Sequence, residues 1–306
     1  MSMRALLPKA IAVGRFVAAY LAGLLVATAA VASCGDEFTD GAGDSAGTAS
    51  GVATGGDGGS VTTGEGGEGA GTGGTGGAVG PGGQGGGPLG PCEPIAGQIY
   101  ASLGTVGSPT TAPPIASHPD INMKVRGWEQ TGGALTLVSY GGDTDPLAPK
   151  LDTIFGANHV PQFVQNYAVH DWDWPNMQAL GPISNPEVTL IAFASSAGEI
   201  LELPHCGYDI GAGFGARVLY VDDDSMTLKY TGEDNVVSGY TIHLVQICPE
   251  PSLKARYEAD HAAGRSQLPA LYQEQPLGRA RGNSFLVAIR DTGAFMDPRS
   301  DKDWWP

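Results

Sequence analysis

The chain predicts a mostly β fold: an antiparallel β-sheet domain with an irregular N-terminal elaboration and one short helix, set behind a long non-globular leader. Three observations predict it. Glycine is concentrated in residues 35–91, which hold 25 of the 48 glycines, so the working core must be built from residues 92–306. Within that part, short runs rich in β-branched and aromatic residues recur between Gly, Pro and Asp punctuation. Two runs alternate cleanly, Met226-Thr227-Leu228-Lys229-Tyr230-Thr231 and Tyr240-Thr241-Ile242-His243-Leu244, which is the period of a half-buried strand.

The first 34 residues form a processing segment. Arg4, Lys9 and Arg15 give a positive start, and the 17 residues Phe16 to Ala32 carry no charge. That run is short for a membrane span and suits an export signal. It ends Val31-Ala32-Ser33-Cys34, which resembles the bacterial lipoprotein box, implying a lipid on Cys34 and attachment to the cell envelope. An ordinary signal peptide or an uncleaved anchor would equally place the protein outside the cytoplasm. Residues 35–91 have too little apolar surface to offset the entropy of ordering, so they read as a disordered linker with a mean reach of roughly 40 Å.

Whole-chain charge is −16, from 16 basic and 32 acidic residues, and no Lys or Arg occurs between Gly35 and Met123. This balance excludes binding led by nucleic-acid phosphates. It also leaves membrane attachment to the N-terminal lipid, because such a tether gains nothing from anionic headgroups.

Residues 92–204 read as the elaboration, with strands at 122–128, 134–140 and 188–195. Residues 205–306 read as the tighter β domain, with strands at 216–222, 226–231, 240–247 and 285–291. A helix spans 252–263, capped by Ser252 and ended by Gly264.

His205-Cys206-Gly207-Tyr208-Asp209 places an imidazole and a carboxylate four residues apart. On an extended strand they would share a face, where Zn²⁺ accepts both donor types. This H-x-G-x-D sequence, followed by Gly211, Gly215 and a strand, resembles the first zinc motif of lysostaphin/LytM-type peptidoglycan endopeptidases. Gln275-Pro276-Leu277-Gly278 is similar to that family's late Gln turn, and residues 285–293 with Asp297-Pro298 to its closing strand and exit. The resemblance covers 205–300 and implies a LytM-like fold. It also implies a departure: the family's H-x-H pair on the closing strand corresponds to Ser284 and Leu286, and leucine offers a metal nothing. His205 and Asp209 therefore form an incomplete zinc site, and no catalytic residue is assigned. The reading is a non-catalytic envelope module that binds peptidoglycan, another glycan or an envelope protein. A zinc-dependent peptidoglycan hydrolase with an altered third ligand is the alternative.

If Cys34 is lipidated, Cys92, Cys206 and Cys248 remain, and Cys206–Cys248 is the favoured bridge because both flank strands of one module. Asp222-Asp223-Asp224 reads as a hairpin turn before it reads as a Ca²⁺ site. His170-Asp171-Trp172-Asp173-Trp174 offers Trp172 and Trp174 as candidate glycan contacts.

Overall fold

The structure is a computed structural model that describes residues 92–306. The predicted signal, Cys34 and the Gly-rich linker lie outside the described residues. The described part is mostly antiparallel sheet with one α-helix, as the punctuation and alternation predict.

Among the described residues, fourteen strands occur in chain order: β1 (Ala101–Gly104), β2 (Trp128–Gln130), β3 (Phe163–Asp173), β4 (Gln178–Pro182), β5 (Leu190–Ala194), β6 (Ile200–Glu202), β7 (Phe214–Val221), β8 (Ser225–Lys229), β9 (Tyr240–Val245), β10 (Ile247–Pro249), β11 (Gln267–Tyr272), β12 (Pro276–Ala280), β13 (Ser284–Asp291) and β14 (Ala294–Met296). The main sheet has eleven strands along the path β1-β11-β7-β8-β9-β13-β5-β3-β2, with β14 paired to β13 and β4 to β3. A small second sheet runs β10-β12-β6. β5 pairs with β13, Phe193 opposite Phe285, so segments from before and after residue 204 share one sheet.

Alternation along the strands sends side chains to two different interiors. On β13, Phe285, Val287 and Ile289 enter the larger core with Ile242, Leu244, Leu228 and Phe193. Leu286 and Ala288 enter a smaller core with Leu190, Val169, Met123 and Phe295. The smaller core is closed by Phe295 of β14 and by Met123, so the sheet is covered on both sides around β13.

Five predicted strands correspond to β5, β7, β8, β9 and β13. The run 240–247 is broken after Val245 because Gln246 takes a φ of 65°, redirecting Ile247 into β10 of the small sheet. Two predictions need correction. Residues 122–128 hold a 3₁₀ turn, Met123–Val125, capped by the Asn122 side chain, and β2 starts only after Gly127 at φ 72°. Residues 134–140 form no strand beyond one bridge, Val138 to Ser300, and Leu135, Leu137 and Tyr140 stay exposed. The helix α1 (Pro251–Ala262) stands where predicted, but its cap is Glu250, whose carboxylate accepts from the Ser252 and Leu253 amides at 2.7 and 3.0 Å. A carboxylate there also meets the positive end of the helix dipole.

Strands β3, β11 and β12 were not predicted. β12 carries Gly278 because its Cα faces the β10 backbone: a Cβ there would collide with the Cys248 carbonyl and with the Pro249 Cα at 3.0 Å. The supposed late Gln turn therefore lies at the entry to a strand.

The disulfide also differs from the prediction. Cys248 bonds to Cys92, with Cα atoms 5.3 Å apart, and Cys206 is a buried free thiol. Strand alternation explains the choice. Ile247 and Pro249 point inward and Cys248 outward, toward the entering chain, whereas Cys206 points into the larger core. The bridge closes a separation of 156 residues. Cys248→Ser is therefore expected to lower stability by about 2–5 kcal/mol. Cys206→Ser should keep the bridge intact. Urea unfolding with and without reductant, together with peptide mapping, checks both outcomes.

Candidate functional site

His205 follows β6 in irregular backbone. Its carbonyl accepts from Lys150 N–H at 2.7 Å and its amide donates to Thr153 Oγ1 at 2.8 Å. The half-exposed imidazole has Nδ1 3.8 Å from a Glu274 carboxylate oxygen. Asp209 is exposed, and its Oδ1 accepts from the amides of Gly211 and Gly213 at 2.7 and 3.1 Å. It shapes a loop whose residues 211, 212 and 213 all have positive φ. Because 205–209 is not a strand, the shared face expected of positions four apart does not arise.

The remaining member of the expected zinc set is placed elsewhere. Leu286 lies in the smaller core, while Leu203 and Cys206, which flank His205, lie in the larger one. Among the described residues no three His, Cys, Asp or Glu side chains gather as a metal cluster. The residues present do not fit a zinc ion: Asp209 is committed to its loop and the third position is apolar and faces the other core.

The other histidines also have local roles. His243 is buried on β9, with Nδ1 3.0 Å from Thr227 Oγ1. That hydroxyl donates its only proton to the Ile121 carbonyl at 2.6 Å. It must therefore accept from the imidazole, placing the ring proton on Nδ1. Burial holds this histidine well below its ordinary value, so it stays neutral. His261 stacks on Tyr257, and His118 meets the edge of Trp174. His159 pairs with Glu199 at 2.7 Å and is raised by that bond. Cys206 receives a hydrogen bond from Gln273 Nε2 at 3.3 Å, and burial raises its thiol, leaving it a poor nucleophile.

Of the two tryptophans, Trp172 is 9% exposed and Trp174 is 42% exposed. They form no joint stacking surface, and only Trp174 can present a ring to a ligand. The triple aspartate is a turn between β7 and β8. Asp222 Oδ1 accepts from the Asp224 and Ser225 amides at 3.0 and 2.9 Å. Lys124 Nζ bridges Asp222 and Asp224 at 2.6 and 2.5 Å, and Lys254 takes Asp223 at 2.6 Å. Lysines thus occupy the carboxylates a calcium ion would need.

A surface groove was missed by the sequence reading. A groove of about 380 Å³ is lined by Leu135, Leu137, Val160, Phe163 and Trp305. It adjoins a hollow of about 310 Å³ lined by His159, Ser195, Ser196 and Glu199, with Val160 and Gln162 common to both. Leu135, Leu137 and Val160 are 45, 48 and 60% exposed. The groove is therefore apolar at one end and charged and hydroxylic at the other. The only sequence signal was alternating apolar residues hemmed by Gly132-Gly133 and Gly141-Gly142, too flexible to continue a sheet. The chain matches no protein-family model, no curated protein and no solved structure.

The aspartate turn yields a pH test. Burial works to raise Asp222, but the Lys124 ammonium, the Asp224 amide and Ser225 outweigh it and hold the carboxyl at about 2, below the ordinary 3.8. A value lowered by folding stabilises above the unfolded value and is lost as pH falls from 3.8 toward 2. Lys124→Met is expected to cost about 1–2 kcal/mol at pH 7, allowing for partial solvent screening. The difference from wild type should shrink as pH approaches 2. Urea titrations between pH 2 and 7 measure it.

Proposed function

We propose that the protein is an exported, lipid-anchored component of the bacterial cell envelope whose β domain binds rather than cleaves. The observation that carries this reading is the Cys92–Cys248 bridge directly after the Gly-rich leader. A structural disulfide belongs in an oxidising compartment, which is where the Arg4–Cys34 segment would send the chain. The absence of catalysis is supported by chemistry: the His205 set lacks a third donor, His243 is neutral and enclosed, and Cys206 is a protonated core thiol.

The partner is peptidoglycan, another envelope glycan or an envelope protein, and the groove between Leu135 and Glu199 is the surface best suited to meet it. Apolar side chains there gain by being covered, while Ser195, Ser196 and the His159–Glu199 pair offer polar groups that fix orientation.

Three measurements on the full-length chain test the proposal. Cys34→Ala should abolish palmitate labelling and move the protein from the membrane to the soluble fraction. Co-sedimentation with purified cell-wall sacculi should retain the wild type, and Leu135→Asp with Leu137→Asp should reduce retention at least about tenfold without lowering the unfolding midpoint. Sacculus turbidity should not fall with time, with or without added zinc. A zinc-dependent clearing that His205→Ala removes would defeat the non-catalytic reading. Retention that the double variant leaves unchanged would move the binding surface elsewhere.

A further inference from the structure

Four central strands carry one row of polar residues on the face away from the larger core. Arg217 on β7 lies opposite Lys229 on β8, Lys229 opposite Thr241 on β9, and Thr241 opposite Arg290 on β13. Three cations in one cross-strand row is an arrangement that like-charge repulsion disfavours. Arg217, Lys229 and Thr241 are each fully enclosed, with 0% exposure.

The nearby acids are mostly committed. Asp120 accepts from Arg290 and Arg126 at 3.0 and 2.7 Å. Asp234 takes both arms of Arg265, at 2.8 and 2.6 Å, and the Thr110 amide at 3.1 Å. Glu233 lies close enough to raise Lys229 but pairs with neither cation, and its own Oε2 is buried without a partner. Arg217 makes one hydrogen bond, Nη2 to the Gly104 carbonyl at 3.0 Å.

That leaves Arg217 Nε and Nη1, Lys229 Nζ and Thr241 Oγ1 buried without partners among the described residues. All of these can donate. Burying a charge without a counter-ion costs several kcal/mol, and burial pulls the Lys229 ammonium from 10.5 to about 8. Over the enclosed and half-buried groups that act on this row, Arg126, Arg217, Lys229, Arg265 and Arg290 supply five positive charges against four from Asp120, Glu233, Asp234 and Asp291. One negative charge is missing, and the ligand must be small because the row has no exposed surface.

We propose that Arg217, Lys229 and Thr241 hold a small monovalent inorganic anion, of the halide class, inside the polar face of the sheet. The guanidinium and ammonium supply the charge and the Thr241 hydroxyl a further donor. A water molecule could accept the same hydrogen bonds but would leave the charge uncompensated. The site owes nothing to the envelope reading and stands or falls separately from it.

The test is thermal and urea unfolding of the full-length chain at fixed ionic strength, exchanging sodium gluconate for sodium chloride. Gluconate is too large to enter. Above the dissociation constant, each tenfold rise in chloride should increase the folding constant about tenfold. Lys229→Met should flatten this response, and Thr241→Val should weaken it. Crystals grown in bromide should show an anomalous peak within hydrogen-bonding distance of Lys229 Nζ. Identical curves in gluconate and chloride, a full chloride response in Lys229→Met, or density that refines as water with no anomalous signal would each overturn the proposal. If Lys229→Met does not fold, the wild-type salt comparison and the bromide peak still decide it.

Discussion

One carboxylate holds the second face of the sheet closed. Asp120 accepts from Arg126 at 2.7 Å and from Arg290 at 3.0 Å, and both guanidiniums are buried. Burial opposes its ionisation, yet the two arginines hold Asp120 below the ordinary carboxylate range. Phe295 lies under both guanidinium groups, 4.5 Å from Arg290 and 5.5 Å from Arg126, so β14 completes the packing. Neither arginine could remain enclosed without Asp120, since a lone buried guanidinium is costly. Through this contact the 3₁₀ turn near Met123 becomes the lid of the smaller core. His243 and Thr227 beneath it then have no route to solvent.

The same closure governs what the domain can do. A face covered by Met123, Arg126 and β14 cannot also be an open catalytic trough. Leu286 is therefore an ordinary core residue, as suited to its position as Ala288 beside it. Beside the groove the accessible polar groups are Glu199 and His159, where loops rather than strands set their positions. Recognition by such a groove depends on shape and a few hydrogen bonds, and needs no perturbed acid or nucleophile.

Local pattern made the central strands legible. β7, β8, β9, β13 and β5 are continuous apolar or alternating runs, and any pairing that buries them yields a sheet. The strands that escaped notice depend on neighbours more than on their own composition. β3 contains Gln165, Asn166, His170 and Asp171, which are poor strand formers, and is held by pairing with β5 and β2. β11 contains Pro269, which reads as a breaker but lies opposite Ser102 of the edge strand β1. Conversely, residues 134–140 alternate well but find no strand to join. The disulfide was illegible for a similar reason, since which cysteine faces outward depends on the φ of Gln246. The H-x-G-x-D spacing was readable as a motif, but a motif fixes residue types and not the backbone that must aim them.

The Cys92–Cys248 bond has a mechanical consequence. Any pull arriving along the leader enters the domain at Cys92 and passes by one covalent link to β10, next to the start of α1. Strand β1 and the wrap that follows it lie outside this load path. A tug from an anchored end would bear on the interior of the molecule all at once, rather than peeling away its first turns in sequence.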